Sequence, residues 1–277
     1  MRNILVPVEE HSLIYPVFEA ALLMARLFDS QIRGCALGIN LAHLPTDMAV
    51  GGATVPDREQ QGAVERASYQ HLATFMLSRG VPEAGEGRAE LSFGWHTHDL
   101  VDDRDLGRFA RVFDITVLGR PGAGSGQPRA STAQAALFES GRPILLVPPT
   151  APPTLGETVV IAWNRSTETA RTLALGMPLL TKASRIVVLE IDGWGVDGPS
   201  GREVAQLLRW HGMASETRTL PGRAGSPGQA LLSAAVSLNC DLLIKGAYTQ
   251  SRFRQMILGG ATSHILVHTK VPVLMAH

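Results

Sequence analysis

The chain repeats itself, and no other feature constrains its fold as much. "NILVPVEEHS" near the start corresponds to "TVVIAWNRST" after residue 157, each a β-branched run, a polar turn and an amphipathic helical pattern. Glu9 falls at the position of Asn164. "DITVLGRP" (114–121) corresponds to "DLLIKGAY" (241–248) and sets Gly119 against Gly246. "ESGRPILLVPP" corresponds to "HTKVPVLMAH", a proline opening a short apolar strand. The prolines of "PPTAPPTLGE", between the copies, forbid helix and suit a linker.

Two copies divide the 277 residues into domains over 1–150 and 151–277, and 45% hydrophobic content supplies each with a core. Alternating strand and helix patterns predict a parallel α/β sheet. Strands are expected at 3–8, 32–38, 88–93, 115–118 and 143–147, then at 158–163, 185–191, 216–220, 241–245 and 272–276. A Gly- and Pro-containing insertion around 41–58 reads as a surface loop. After the first strand of the second copy, Ala170, Leu173, Ala174, Met177 and Leu180 form a helical stripe, with Ser166 or Thr167 as its cap. The fold class is thus two tandem doubly wound five-stranded parallel-sheet domains. In such sheets a ligand binds beyond the carboxyl ends of the strands, at the turns after the first and fourth.

Gly246 closes a strand at one such turn, and Gly259 and Gly260 precede the apolar helical run "ATSHILVHT". Amides at a helix N-terminus are unpaired and partly positive, so glycines there admit a phosphate. Arg252 and Arg254, between them, offer charge-assisted contacts. The same glycines also suit a loop that needs left-handed turns and a close helix crossing.

The pattern resembles the signature of the universal stress protein family, G-x2-G-x9-G-[S/T] between the fourth strand and the last helix. Here it stands as Gly246, "AY", Thr249, "QSRFRQMIL", Gly259 and Gly260. The chain looks like a tandem form of that fold, the universal stress protein/adenine nucleotide alpha hydrolase-like architecture, with its halves related by a pseudo-two-fold axis. The resemblance implies a site for ATP with Mg²⁺ in the second copy. Adenine would lie near Ala162, Trp163 and Asn164, the last standing where the family carries an aspartate. Gly246, Gly259, Gly260, Ala261 and Thr262 would cradle the phosphates, with Thr249 and Arg252 in the same loop. Thr249 replaces the family's second glycine, and Gly260 its hydroxyl residue. In the first copy Glu9 takes the aspartate position, and "GRPGAGSGQPRAS" is two residues shorter than its counterpart, with Ser131 at the hydroxyl position. Pairing through the last strand is also implied, which a tandem chain satisfies internally as a pseudo-dimer and a homodimer doubles again.

Other chemistry is sparse. His96 and His98, near Asp99, Asp102 and Asp103, have the residue types of a divalent-metal site, whereas the same acidic residues equally suit the first turn of a helix. His264 and His268 stand four apart without a third ligand. Cys35 and Cys240 lie in apolar runs without CxxC spacing, as buried thiols do in a reducing cytoplasm. No G-x-S-x-G elbow occurs, and the loop provides no evident base for water, so slow ATP hydrolysis is the most that is expected of it as an enzyme. Twenty-five basic and twenty-five acidic residues cancel, which argues against nucleic acid or a membrane surface as partner. "MRNILVPVEEHS" lacks a charged segment followed by a long apolar one, and a cytoplasmic location is expected. Two readings of function remain: a stress protein responding to a small ligand, ATP the candidate, or a pseudo-dimeric scaffold that has lost nucleotide and offers its altered loops to a protein partner.

Overall fold

The computed structural model describes residues 1–9, 11, 13–37, 58–85, 90–97, 103–122, 126–222, 226–247 and 260–277. Among these the first copy forms β1 (Asn3–Val8), α1 (Ile14–Phe28), β2 (Gln31–Ala36), α2 (Arg58–Ser78), β3 (Ser92–His96), α3 (Asp103–Phe109), β4 (Ile115–Gly119), α4 (Ala130–Glu139) and β5 (Ile144–Val147). The second forms β6 (Thr158–Ala162), α5 (Thr167–Leu180), β7 (Arg185–Ile191), α6 (Gly201–Trp210), β8 (Glu216–Leu220), α7 (Pro227–Ser237), β9 (Leu242–Ile244), α8 (Gly260–His268) and β10 (Val273–Met275).

The strands run β3-β2-β1-β4-β5-β10-β9-β6-β7-β8, so each copy reverses its order once, between its first and fourth strands. All neighbours are parallel except β5 and β10, which pair antiparallel through Val273 with Leu146 and Met275 with Ile144. That junction fuses two five-stranded sheets into one and covers the apolar edge each copy would otherwise expose. At the far end β8, "ETRTL", is largely exposed and carries charge, which discourages further pairing.

The aspartate repeated before the fourth strand has a structural task in both copies. Asp114 Oδ2 accepts the amides of Arg2 and Asn3. Asp241 accepts the Thr158 amide at 2.9 Å through Oδ1 and the Glu157 amide at 3.0 Å through Oδ2. Each carboxylate thereby pins the start of the first strand beside the fourth.

Two expectations are corrected. β3 starts at Ser92 and runs through His96, four residues later than the 88–93 read from sequence. Phe93 bonds outward to the Pro82 carbonyl and the Ala84 amide, and Gly34 leaves room for Trp95, whose ring lies 2.7 Å from where a Cβ at Gly34 would stand. The buried face of α5 is also rotated: Thr169, Thr172, Leu173, Gly176, Leu179 and Leu180 face inward, while Ala170 and Ala174 are exposed. Two threonines can be inside because the Thr172 hydroxyl donates to the Glu168 carbonyl and accepts the Ala276 amide. The insertion expected as a loop lies outside the described residues, apart from Arg58, where α2 begins.

Candidate functional site

In the second copy, the ends of β6 and β9 bring together Asn164, Thr169, Gly246, Lys245 and Thr262. Asn164 is buried, and its Oδ1 accepts the Ser166 amide at 3.3 Å and the Thr169 hydroxyl. Ser166 caps α5 by accepting the Thr169 amide at 3.2 Å, as its position predicts. Gly246 lies against this cap: a Cβ there would stand 2.3 Å from the Thr169 nitrogen. Its glycine therefore serves the close helix crossing, the second of the two readings given above.

Trp163 does not face the crevice as a free stacking platform. It is 4% exposed, packs in the core with Leu173 and Val188, and donates its Nε1–H to the Pro199 carbonyl at 2.8 Å. Ala162 is fully buried in the opposite core. Across the turn, the Val196 amide bonds the Asn164 carbonyl at 3.1 Å, so the segment after β7 closes over this strand end.

Thr262, in the first turn of α8, is buried, and its Oγ1 accepts the Lys245 ammonium at 2.8 Å. Gly260 and Ala261 form the start of the same helix. Thr249, Arg252 and Gly259 lie outside the described residues. Lys245 was missed by sequence reasoning. Its signal was one charge at the end of the apolar run "DLLIKG", where the first copy has Leu118 in "DITVLG".

The equivalent crevice of the first copy is filled by its own side chains. Glu9 Oε2 accepts the Arg129 amide at 2.9 Å, at the N-terminus of α4. The Arg129 guanidinium lies 3.8 Å from Glu9 and 3.5 Å from Asp103, and the Thr132 hydroxyl donates to Asp103 at 3.1 Å. Burial raises the Glu9 carboxyl above its ordinary range, against the opposing pull of the Arg129 amide, Thr132 and the guanidinium. A Cβ at Gly119 would lie 2.6 Å from Pro128. His11, beside this glycine, accepts the Leu13 amide at 3.0 Å and is held down to about 4 by burial.

His96 stacks on Phe109 with ring centroids 3.9 Å apart, while His98 lies outside the described residues. Asp103 begins α3 and turns to Thr132 and Arg129, in keeping with the helix-start reading of the acidic run. His264 and His268 stack on each other at 4.3 Å. Among the described residues no group of three His, Cys, Asp or Glu could hold a metal ion. No described helix is long and apolar enough to cross a membrane, and Cys35 and Cys240 are buried free thiols.

The family model of the universal stress protein family matches residues 202–277. A universal stress protein from Archaeoglobus fulgidus DSM 4304 superposes over 99% of this chain and 97% of its own, with TM-score 0.69 and 16% identity. A protein of the same family name from Pseudomonas aeruginosa UCBPP-PA14 covers 100% and 93%, with TM-score 0.57 and 13% identity. One of unknown function from Pseudomonas aeruginosa PAO1 covers 100% and 92%, with TM-score 0.57 and 14% identity. No curated protein matches the chain significantly. The chain is thus an α/β protein with the tandem universal stress protein fold. The universal stress protein family model matches part of its second half, and over its whole length the chain is similar in fold to universal stress proteins.

Proposed function

We propose that the protein is a ligand-responsive universal stress protein of the cytoplasm, built from domains over 1–150 and 151–277, in which only the second crevice takes a ligand. An adenine nucleotide, ATP with Mg²⁺ in the first instance, is the class in view. The observation that carries this is the asymmetry of the copies. A carboxylate of the chain occupies the helix N-terminus of the first crevice, whereas at the corresponding helix of the second an ammonium, that of Lys245, bonds Thr262 in the first turn.

In this reading the base lies over Asn164 and the turn after β6. The phosphates meet the first turn of α8 with Gly259, Gly260, Ala261 and Thr262, and Thr249 and Arg252 belong to the loop that responds. Binding changes the surface offered to partners only insofar as the ligand prefers one loop state over another. Calorimetry with ATP, ADP and AMP, with and without Mg²⁺, on wild type and Gly259→Asp tests it. Binding abolished by the added carboxylate supports the site, and absence of heat with every nucleotide overturns it.

A second reading, an interaction module, has its own support. Trp210 is 76% exposed on α6, with Leu207 also exposed one turn before it. Aromatic residues of this kind anchor protein interfaces. A partner that binds wild type but not Trp210→Ser, in the absence of any nucleotide, would favour it.

A further inference from the structure

Lys245 follows β9 with its ammonium inside the protein, the residue being 3% exposed. Nζ donates to the Gly246 carbonyl at 2.7 Å and to Thr262 Oγ1 at 2.8 Å. An ammonium has three donors, and both of these acceptors are neutral. Among the described residues no carboxylate forms an ion pair with it.

The start of α8 adds to the positive potential, and the Glu168 carboxylate opposes it. Thr262 sits in the first turn of α8, where unpaired amides and the helix dipole are positive. Glu168, from the first turn of α5, acts on Lys245 only through space, and its Oε2 is itself buried without a partner. α7 presents no charged side chain, α8 carries His264 and His268, and beyond β10 His277 bonds the Ala247 carbonyl at 3.2 Å. A buried cation beside a helix N-terminus is a combination that an anion relieves and a neutral ligand does not. The first copy makes the contrast: Leu118 stands at the position of Lys245, and the helix N-terminus there already holds Glu9.

We propose that Lys245 is the cation that recognises a phosphate group at the first turn of α8, so that the second crevice selects phosphorylated over unphosphorylated ligands. This rests on reading that crevice as the ligand site. Burial holds the lysine down at about 8, so the ammonium is present at neutral pH and lost in mild alkali. A bound phosphate favours the charged form, and binding near that pH takes up a proton.

The experiment is calorimetry of ATP, AMP, adenosine and pyrophosphate against wild type and Lys245→Met, with thermal melting to confirm that the variant folds. Wild type is also titrated across the alkaline range, which needs no variant. The expected result is that Lys245→Met weakens ATP, AMP and pyrophosphate by about tenfold or more and leaves adenosine unchanged. Raising pH should do the same to wild type only. ATP binding that neither the substitution nor alkali alters overturns the role of Lys245 and leaves the nucleotide reading standing. Lys245-dependent binding of pyrophosphate, with neither ATP nor adenosine bound, does the reverse. Binding of none of the four overturns both.

Discussion

Glu9 Oε2 and the Arg129 amide are 2.9 Å apart, at the N-terminus of the helix whose counterpart in the second copy begins at Gly260. A carboxylate at that point satisfies an orphan helix amide from within the chain, as a bound anion would from outside. The first copy is therefore self-liganded, and in the second an ammonium bonds the first turn of the corresponding helix.

Glu9 is held above its ordinary range in the fold, so its contribution to stability is fully present below its unfolded value and is lost as pH rises through the folded one. Glu9→Gln removes that dependence while keeping an acceptor for the Arg129 amide. The variant should be at least as stable as wild type at neutral pH, with the difference vanishing in acid, as read from melting temperature against pH. A large loss of stability at neutral pH would show that the ion pair with Arg129 outweighs the cost of burial.

Lys245 is displaced the other way. Its folded value of about 8 lies below the unfolded one, so its stability contribution is present above the unfolded value and is lost as pH falls through the folded one. Lys245→Met should stabilise the ligand-free protein at neutral pH by roughly 2–4 kcal/mol, an advantage that shrinks in alkali. Denaturant unfolding at neutral and alkaline pH measures it. Stability traded against a charged ligand site is the expected signature of a functional residue.

Gly246→Ala should destabilise by about 1–3 kcal/mol or more, because the new methyl would meet the backbone of α5 rather than a movable side chain. The matching change in the first copy, Gly119→Ala, meets Pro128 on a loop, which can yield, and should cost less. Equal costs in chemical denaturation would contradict the assignment of Gly246 to the helix crossing.

Asp241→Ala leaves the amides of Glu157 and Thr158 without their acceptor and should cost about 1–3 kcal/mol. Asp114→Ala, which frees the amides of Arg2 and Asn3, should behave alike. Hydrogen exchange at those amides reports each loss locally, and amides that stay protected in the variants would refute the pinning role.

The sequence by itself determined the repeat, the α/β class and most strand positions. β1, β7 and β8 fall where "NILVPV", "RIVVLEI" and "ETRTL" are expected, because runs bounded by turn residues carry their own signal. It also marked the crevice turns, since a repeated glycine at a strand end is local information. Only the tertiary structure decided what those turns contain. Trp163 is a core residue, Gly246 yields to a helix cap, and Glu9 closes its own crevice across 120 residues of chain. Lys245 meets Thr262 in the same way, seventeen positions away and beneath a helix end. Such pairings depend on which strands become neighbours, and no local propensity encodes the charge that one copy will find opposite its helix.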